Sequence, residues 1–531
     1  MKRGIEGSHE SMLEYADRIS NLYSQKHDAN IRKKKGQVLT PGNIANFMVE
    51  LFHLDKDKVR LLDPGAGTGV LTAAFCDKVA QLKRPVNLTI DAYENDKNIL
   101  PYLEKVLCNC KSVLEGKGHH VSYNILATDF ILDNHGHINK LSNNSKLTYD
   151  YIISNPPYFK LNKTSPQSEA IASLISGQPN IYILFMAKST SMLSKTGEMV
   201  FITPRSFCSG SYYKKFRKWF IDNAVLTNIH IFESRKELFN HDSVLQENII
   251  IKAKPPVFKL DNQQVIITMS KNGHFNDVRQ LVVSTQDIIH RRNGDMIIRI
   301  PTSPLDLKII KEVDGWPMTL MKLGLQISTG PVVDFRAKEY LLPQHTKHPA
   351  SAPLLWMHNM ENMKTIWPLN KKNKASAIRI TPQTKKLLLP SKNYALVKRF
   401  SSKEQMRRLY AAVLLQHEFP YDYIGLENHV NYIYRPEGNL SVEESYGIAG
   451  LLNTSFIDNY FRSLNGNTQV NASDIRSLPF PDLVEIRKIG NAITQARTYE
   501  NGINLDYIVG NILGFDKTIL EKLNGATNDQ N

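Results

Sequence analysis

The sequence predicts an α/β fold: a Rossmann-like, doubly wound sheet with helices on both faces, followed by a C-terminal domain of mixed α/β character. Three observations carry this expectation. From about residue 36 to residue 254, short apolar runs alternate with amphipathic stretches of helical period, as strand–helix–strand units do. A glycine-rich turn, Gly65-Ala66-Gly67-Thr68-Gly69, separates the first apolar run from an alanine-rich helical stretch. Past Lys252–Lys259, which reads KAKPPVFK, the periodicity becomes mixed, with short strand-like runs, many turn residues and scattered aromatics.

At 531 residues the chain exceeds one ordinary hydrophobic core. We expect a helical lead-in over 1–30, the sheet domain over 31–258, a second domain over 259–482 and a helical segment over 483–531. Hydrophobic content of 42% with 22% charged residues is that of a globular chain and excludes a disordered one. No run of eighteen apolar residues occurs, and the opening MKRGIEGSHESMLEYADR lacks an apolar targeting stretch, so a cytoplasmic location is expected. Cys76, Cys108, Cys110 and Cys208 have neither disulfide-framework nor zinc spacing and read as buried free thiols; no metal is expected. The formal net charge is +15, and much of it is local. Between Lys371 and Arg408 twelve Lys or Arg face a single acid, Glu404. Interleaved Leu, Tyr and Phe make that stretch a candidate nucleic-acid surface rather than a merely solvated face.

Taken in order, the elements place chemistry at strand ends. Thr40 suits an N-cap and Pro41 the first helical position, with Ile44, Phe47, Met48, Leu51 and Phe52 striping one face of the helix that follows. Val59–Phe75 reads VRLLDPGAGTGVLTAAF: a strand ending in Asp63, then a turn where Gly65, Gly67 and Gly69 let the backbone approach a ligand. The next strand, Leu88–Tyr93, ends in Glu94, placed to accept from both ribose hydroxyls of an adenosine. A third, Val121–Ile125, leads to Asp129, which can accept from an adenine's exocyclic amine, and to Phe130, which flanks the ring. No second glycine loop cradles a pyrophosphate, and no P-loop lysine follows the turn. The expected cofactor is therefore S-adenosylmethionine rather than a dinucleotide or a nucleoside triphosphate.

The fourth strand, Tyr149–Ser154, delivers Asn155-Pro156-Pro157-Tyr158 to its carboxyl end, where open α/β sheets bind ligands. An aromatic amine is a poor nucleophile because its lone pair is delocalised into the ring. Two acceptors holding its hydrogens, the Asn155 side-chain oxygen and the Pro156 carbonyl, would localise that pair. The prolines fix the backbone so that the carbonyl points into the site. Tyr158 offers a flat face for an extruded base.

Together these residues resemble the gamma class of N6-adenine DNA methyltransferases, the TaqI-like enzymes, and most closely the BsuBI/PstI-type restriction-modification methylases. The class is marked by motif order: Lys35-Gly36-Gln37 through Thr40-Pro41 stands before the glycine turn, which implies that Thr40 lies by the methionine part of the cofactor. Asn180–Phe185 (NIYILF) resembles the family's helix motif and implies that Phe185 lies beside the cofactor's adenine. Gly197–Phe207 (GEMVFITPRSF) resembles its next buried strand. Phe239 with Ser243–Ile251 (SVLQENIII) resembles the target-base motif, which would pack Phe239 on the flipped adenine. Ile327–Arg336, Leu396–Leu409 and Gly466–Pro481 resemble the recognition domain. The chain departs from its relatives at Asn95, where an apolar residue often packs on the cofactor's adenine.

The resemblance implies a class I S-adenosylmethionine-dependent methyltransferase sheet over 31–258 and a DNA target-recognition domain over 259–482. It implies site-specific adenine methylation of duplex DNA by a monomer, away from membranes, beside a cognate restriction endonuclease acting separately. Lys398, Arg399, Arg407 and Arg408 are the expected DNA contacts, although Leu396–Leu409 has helical spacing on its right half and some of them could decorate a helix. RNA or glutamine amino-methyltransferases share the NPPY chemistry but are usually much shorter. An orphan DNA methylase without a partner nuclease stays open. A degenerate binding protein would not keep Asn155, Pro156, Tyr158 and Asp129. A fused nuclease would need its acids further apart than Asp482 and Glu485 are.

Overall fold

The computed structural model describes residues 10–28, 36–133, 147–174, 177–233, 247–256, 263–292, 294–347, 350–369, 371–401, 405–466, 469–497 and 504–528. The chain divides into two compact units, Met1–Thr302 and Ser303–Asn531.

The first unit is built on a nine-stranded sheet. Its strands are β1 (Lys58–Pro64), β2 (Asn87–Tyr93), β3 (His120–Leu126), β4 (Tyr149–Ser154), β5 (Leu193–Pro204), β6 (Val225–Phe232), β7 (Asn248–Lys254), β8 (Gln264–Ser270) and β9 (Arg279–Ser284). Their spatial order is β3-β2-β1-β4-β5-β7-β6-β8-β9. β1 to β5 run parallel, and β7 runs antiparallel between β5 and β6. Strand order reverses between β1 and β4, the switch point where such sheets open a crevice.

Helices cover both faces. α1 (Met12–Lys26) starts from a capping box of Ser11 and Glu14, and Asp77 accepts its Met12 and Leu13 amides. α2 (Gly42–Glu50) and α3 (Val70–Val79) press Ile44, Met48, Leu71 and Phe75 into the core beside Leu61, Ile90 and Ile153. α4 (Leu100–Gly116) follows β2. α5 (Ile181–Met192) is apolar all round, and nearly every residue in it is buried. Of the cysteines, Cys76, Cys110 and Cys208 are buried, whereas Cys108 is exposed on α4, its thiol 3.0 Å from the hydroxyl of Tyr123 on β3.

Residue 258 was expected to end the sheet domain. It does not, because β8 pairs with β6 and β9 with β8, so the sheet continues past the Pro-Pro break and the unit runs to Thr302. Prolines end a strand but place no limit on the sheet it belongs to. α2 also starts one residue later than expected, with Pro41 at its N-cap and no side-chain cap.

The second unit holds a six-stranded sheet ordered Gln326–Thr329, Val430–Tyr434, Tyr394–Lys398, Ala411–Leu414, Lys364–Thr365 and Met360–Glu361. A five-stranded sheet orders Leu341–Leu342, Ala377–Arg379, Ser351–Leu355, Tyr423–Leu426 and Leu388–Pro390. Helices Val442–Leu452 and Leu483–Arg497 pack backbone to backbone, so that a Cβ on Gly490 would sit 1.8 Å from the Glu443 carbonyl oxygen. The segment from 483 joins this unit through that contact rather than standing apart. The three stretches expected to form the recognition domain are laced together. Val470 donates to the Arg399 carbonyl at 2.7 Å, and the Arg476 guanidinium to that of Ile327 at 3.0 Å. Among the described residues, no helix is long and apolar enough to cross a membrane.

Candidate active site

The carboxyl ends of β1 to β4 surround a cavity of about 670 Å³. Gly65 (φ 75°) and Gly67 (φ 56°) turn the chain out of β1 with left-handed backbone, leaving the wall free of side chains. Glu94 holds that turn in place. Its Oε2 accepts from the Gly67 amide at 3.0 Å, and its Oε1 from the Asp96 amide at 2.8 Å. Each carboxylate oxygen keeps a further lone pair for a ligand hydroxyl. Burial pushes the Glu94 carboxyl above its ordinary range.

Asp129 also lines the cavity. Its Oδ1 accepts from the Ile131 and Leu132 amides, and its Oδ2 from the Gln167 side chain at 2.9 Å. Phe130 and Phe185 form an apolar wall, their rings 5.2 Å apart and tilted by 43°. Asn95 is exposed at the rim.

Asp63 lies behind the cavity rather than in its lining. It is fully buried, its Oδ2 accepts from the Thr72 hydroxyl at 2.7 Å, and burial pushes its pKa up to about 7. It steadies the junction between β1 and α3, while the glycines beside it face the space. Thr40 also lies outside the lining, where its hydroxyl accepts from Asn155 Nδ2 at 3.0 Å.

The Asn155–Tyr158 loop closes the cavity floor. Asn155 Nδ2 donates to the Val38 carbonyl at 3.1 Å. A carbonyl can only accept, so this bond fixes the orientation of the carboxamide and turns Oδ1 the other way. Oδ1 accepts from the Tyr158 hydroxyl at 2.6 Å, and that hydroxyl also lies 2.9 Å from the Ile202 carbonyl. Burial pushes the Tyr158 phenol well above its ordinary range, so it stays a donor. Pro156 is buried, and Pro157 lines the cavity. The Tyr158 amide donates to the Gly36 carbonyl at 3.4 Å. The segment Gly36–Thr40 therefore lies as a strap across the loop.

Sequence reasoning missed three supports. Gln37 donates to Asp96 Oδ2 at 2.8 Å, joining the strap to the tip of β2. Gln167 reaches Asp129, as described above. Lys188, fully buried on α5, donates to the carbonyls of Phe130 and Asp133, and its ammonium lies 4.9 Å from the Phe130 ring centroid. Burial lowers its pKa to about 8, with Asp133 and Asp129 opposing the shift. An apolar helix carrying one lysine was the available signal. Phe239 lies outside the described residues.

In the second unit Lys398 lines a cleft of about 730 Å³ and lies 3.8 Å from the Tyr410 ring centroid. Arg399 donates to the Asn428 carbonyl at 3.0 Å, and Arg407 donates to that of Asn453. Arg408 is corrected as a DNA contact, because it is only 1% exposed and donates to Ser401 Oγ at 3.0 Å. No helix forms over 405–409. The Arg408 and Leu409 amides are taken by Asp458 Oδ1 at 2.6 and 2.8 Å, which removes them from any helical ladder.

Comparison with known proteins agrees with this geometry. Residues 77–239 match the Eco57I restriction-modification methylase family. The chain is 32% identical over 481 residues to the type II methyltransferase M.PstI of Providencia stuartii, covering 90% of this chain and 93% of that one. It is 33% identical over 458 residues to M.BsuBI of Bacillus subtilis, covering 85% and 88%. Among solved structures, the one described as a cryoEM structure of a DrdV–DNA complex is similar in fold, with a TM-score of 0.50 at 14% identity. That likeness covers 92% of this chain and 60% of the other.

Proposed function

Because the chain belongs to the type II DNA methyltransferases of restriction-modification systems, the group that includes M.PstI and M.BsuBI, we propose that it methylates the 6-amino group of an adenine extruded from duplex DNA, with S-adenosylmethionine as methyl donor. The observation that carries this reading is the Asn155 carboxamide, locked by the Val38 carbonyl with its oxygen turned away from the strap.

The cavity suits the cofactor's parts. Glu94 has lone pairs left for ribose hydroxyls, Asp129 offers a carboxylate to an adenine amine, and Phe130 with Phe185 supplies an apolar wall. When bound, the cofactor supplies an electrophilic methyl group on a sulfonium. The chain's own part is to hold the target. Asn155 Oδ1 and the Pro156 carbonyl accept the amine's two hydrogens, leaving its lone pair directed at the methyl group. The Tyr158 ring supports the base, and the second unit holds the duplex through the exposed lysines of the basic stretch, Lys371, Lys372, Lys385 and Lys386. The resulting mark would shield the site from an endonuclease of the same specificity acting as a separate protein.

Two variants test the assignment. Asn155→Ala should abolish methyl transfer and leave cofactor affinity near that of the parent. Asp129→Ala should weaken S-adenosylmethionine binding by about 1–3 kcal/mol, as expected when a charged, partly buried acceptor is removed. Calorimetry separates the two, and equal loss of cofactor binding in both would overturn the roles. Digestion of modified DNA should release N6-methyladenine; N4-methylcytosine in its place would overturn the target.

A further inference from the structure

The basic stretch contains cations in two different environments. Lys371, Lys372, Lys385 and Lys386 are exposed. The arginines are committed to protein groups: Arg399 and Arg407 to backbone carbonyls, Arg408 to a buried hydroxyl. Lys398 belongs to neither group. It ends the strand Tyr394–Lys398, and its ammonium lies over the Tyr410 ring inside the cleft. Phe400, Met357 and Met363 contribute further apolar wall, and Gln405 lines the same cleft. Among the described residues, no carboxylate lies within ion-pair distance of this ammonium, although the charge of Glu361 acts on it.

Exposed, flexible lysines can meet phosphates wherever the backbone runs, releasing the counterions that the phosphates held. An ammonium already stripped of part of its water on an aromatic face gains most from directional acceptors brought into its cleft. In the major groove a guanine presents such a pair, O6 and N7, side by side, and a cationic side chain is their commonest partner. We propose that the cleft at Lys398 reads a base edge in the major groove, with Lys398 bonding the paired acceptors of a guanine, while the exposed lysines of the same stretch hold the phosphates. Burial lowers the Lys398 ammonium from its ordinary range, with the Glu361 charge opposing the shift.

This rests on the reading of Lys371–Arg408 as a DNA surface, and the experiment separates the two. Full-length Lys398→Met and Lys398→Gln would be compared with a Lys371/Lys372/Lys385/Lys386→Ala variant. Each is measured for binding to duplexes with and without the target site over a salt series. Methylated sequences are then read from modified genomic DNA. Both Lys398 variants should accept other bases at one position of the target, with discrimination there reduced roughly tenfold to a hundredfold. Their affinity for duplex lacking the site and their salt slope should not change. The quadruple variant should bind every duplex more weakly, with its slope reduced by about 0.9 for every phosphate it no longer neutralises, and should keep its target. Uniform weakening with a shallower slope in the Lys398 variants would make Lys398 a phosphate ligand and overturn the proposal. Unchanged target and affinity would remove the cleft from the interface and overturn it as well. If the quadruple variant kept its slope, the DNA-surface reading itself would fail, whatever Lys398 does. The Gln variant keeps the position polar should the Met variant fold poorly.

Discussion

Tyr158 holds its hydroxyl between Asn155 Oδ1 and the Ile202 carbonyl, so its ring and its oxygen have separable duties. Tyr158→Phe keeps the face for a base and loses the bond that steadies the carboxamide. Its kcat should fall about five- to tenfold, the equivalent of one ordinary hydrogen bond of about 1–1.5 kcal/mol, with no change in cofactor KM. Tyr158→Ala should fall much further. If the Phe variant were as inactive as the Ala variant, the hydroxyl would be doing chemistry rather than positioning. Asp63 gives a pH signature. Its folded pKa of about 7 lies above the ordinary carboxylate value, so the folded state favours its protonated form. The stability it contributes is complete below the unfolded pKa and is lost as pH rises through about 7. Asp63→Asn, neutral throughout, should flatten the fall in Tm between pH 5 and 8; a parallel fall in both proteins would mean that Asp63 is ionised when folded. The cavity residues that were legible in the sequence, Glu94, Asp129, Phe130 and Asn155, all lie within about four residues of a strand's carboxyl end, where local pattern fixes position. Gln37 with Asp96, and Lys188 with Phe130, meet across about sixty residues of chain, and no local pattern encodes such a meeting. A hydroxyl at the start of a helix looks the same in sequence whether it caps, binds a ligand or holds another side chain, so the bond from Asn155 to Thr40 was not legible there.

Among the elements, helices Val442–Leu452 and Leu483–Arg497 approach closely enough that Gly447, Gly450 and Gly490 all face the partner helix without a Cβ. At Gly450 the obstruction is the end of an isoleucine side chain, Ile493 Cδ1 at 2.1 Å, which can swing aside. At Gly490 it is backbone, the Glu443 carbonyl, which cannot move without the whole helix. Gly490→Ala should therefore destabilise the second unit by about 3 kcal/mol or more, and Gly450→Ala by distinctly less, as read from denaturant midpoints. Equal effects would mean that the helices separate easily. β1 to β4 were legible from alternating period, and the helices after 483 from theirs. β8 and β9 were not, because a strand's membership of a sheet is decided by a partner distant in sequence, and Pro255-Pro256 resembles a domain boundary. The helical spacing of Leu396–Leu409 competes with Asp458, and the side-chain acceptor prevails over local propensity.

At the scale of the whole chain, the sheet sets where the protein can be divided. A fragment of residues 1–302 contains all nine strands and should bind S-adenosylmethionine as the full chain does, without methylating specific sites. Ending at Pro255 removes β8 and β9 and leaves β6 as an open apolar edge, so that fragment should aggregate. Size-exclusion chromatography and calorimetry distinguish the two, and a soluble, cofactor-binding 1–255 fragment would make β8 and β9 dispensable. Finally, the strap Gly36–Thr40 has two faces: Gly36 to Leu39 line the cavity, while Val38 and Thr40 hold Asn155. A ligand that orders one face pre-sets the other. Cofactor and target duplex then share one conformational cost, and whichever arrives first meets it for both. Thermodynamic reciprocity requires that each raise the other's affinity by one and the same factor, typically about 5–150-fold for coupled sites. Order of addition would change the route to the ternary complex but leave its stability unchanged.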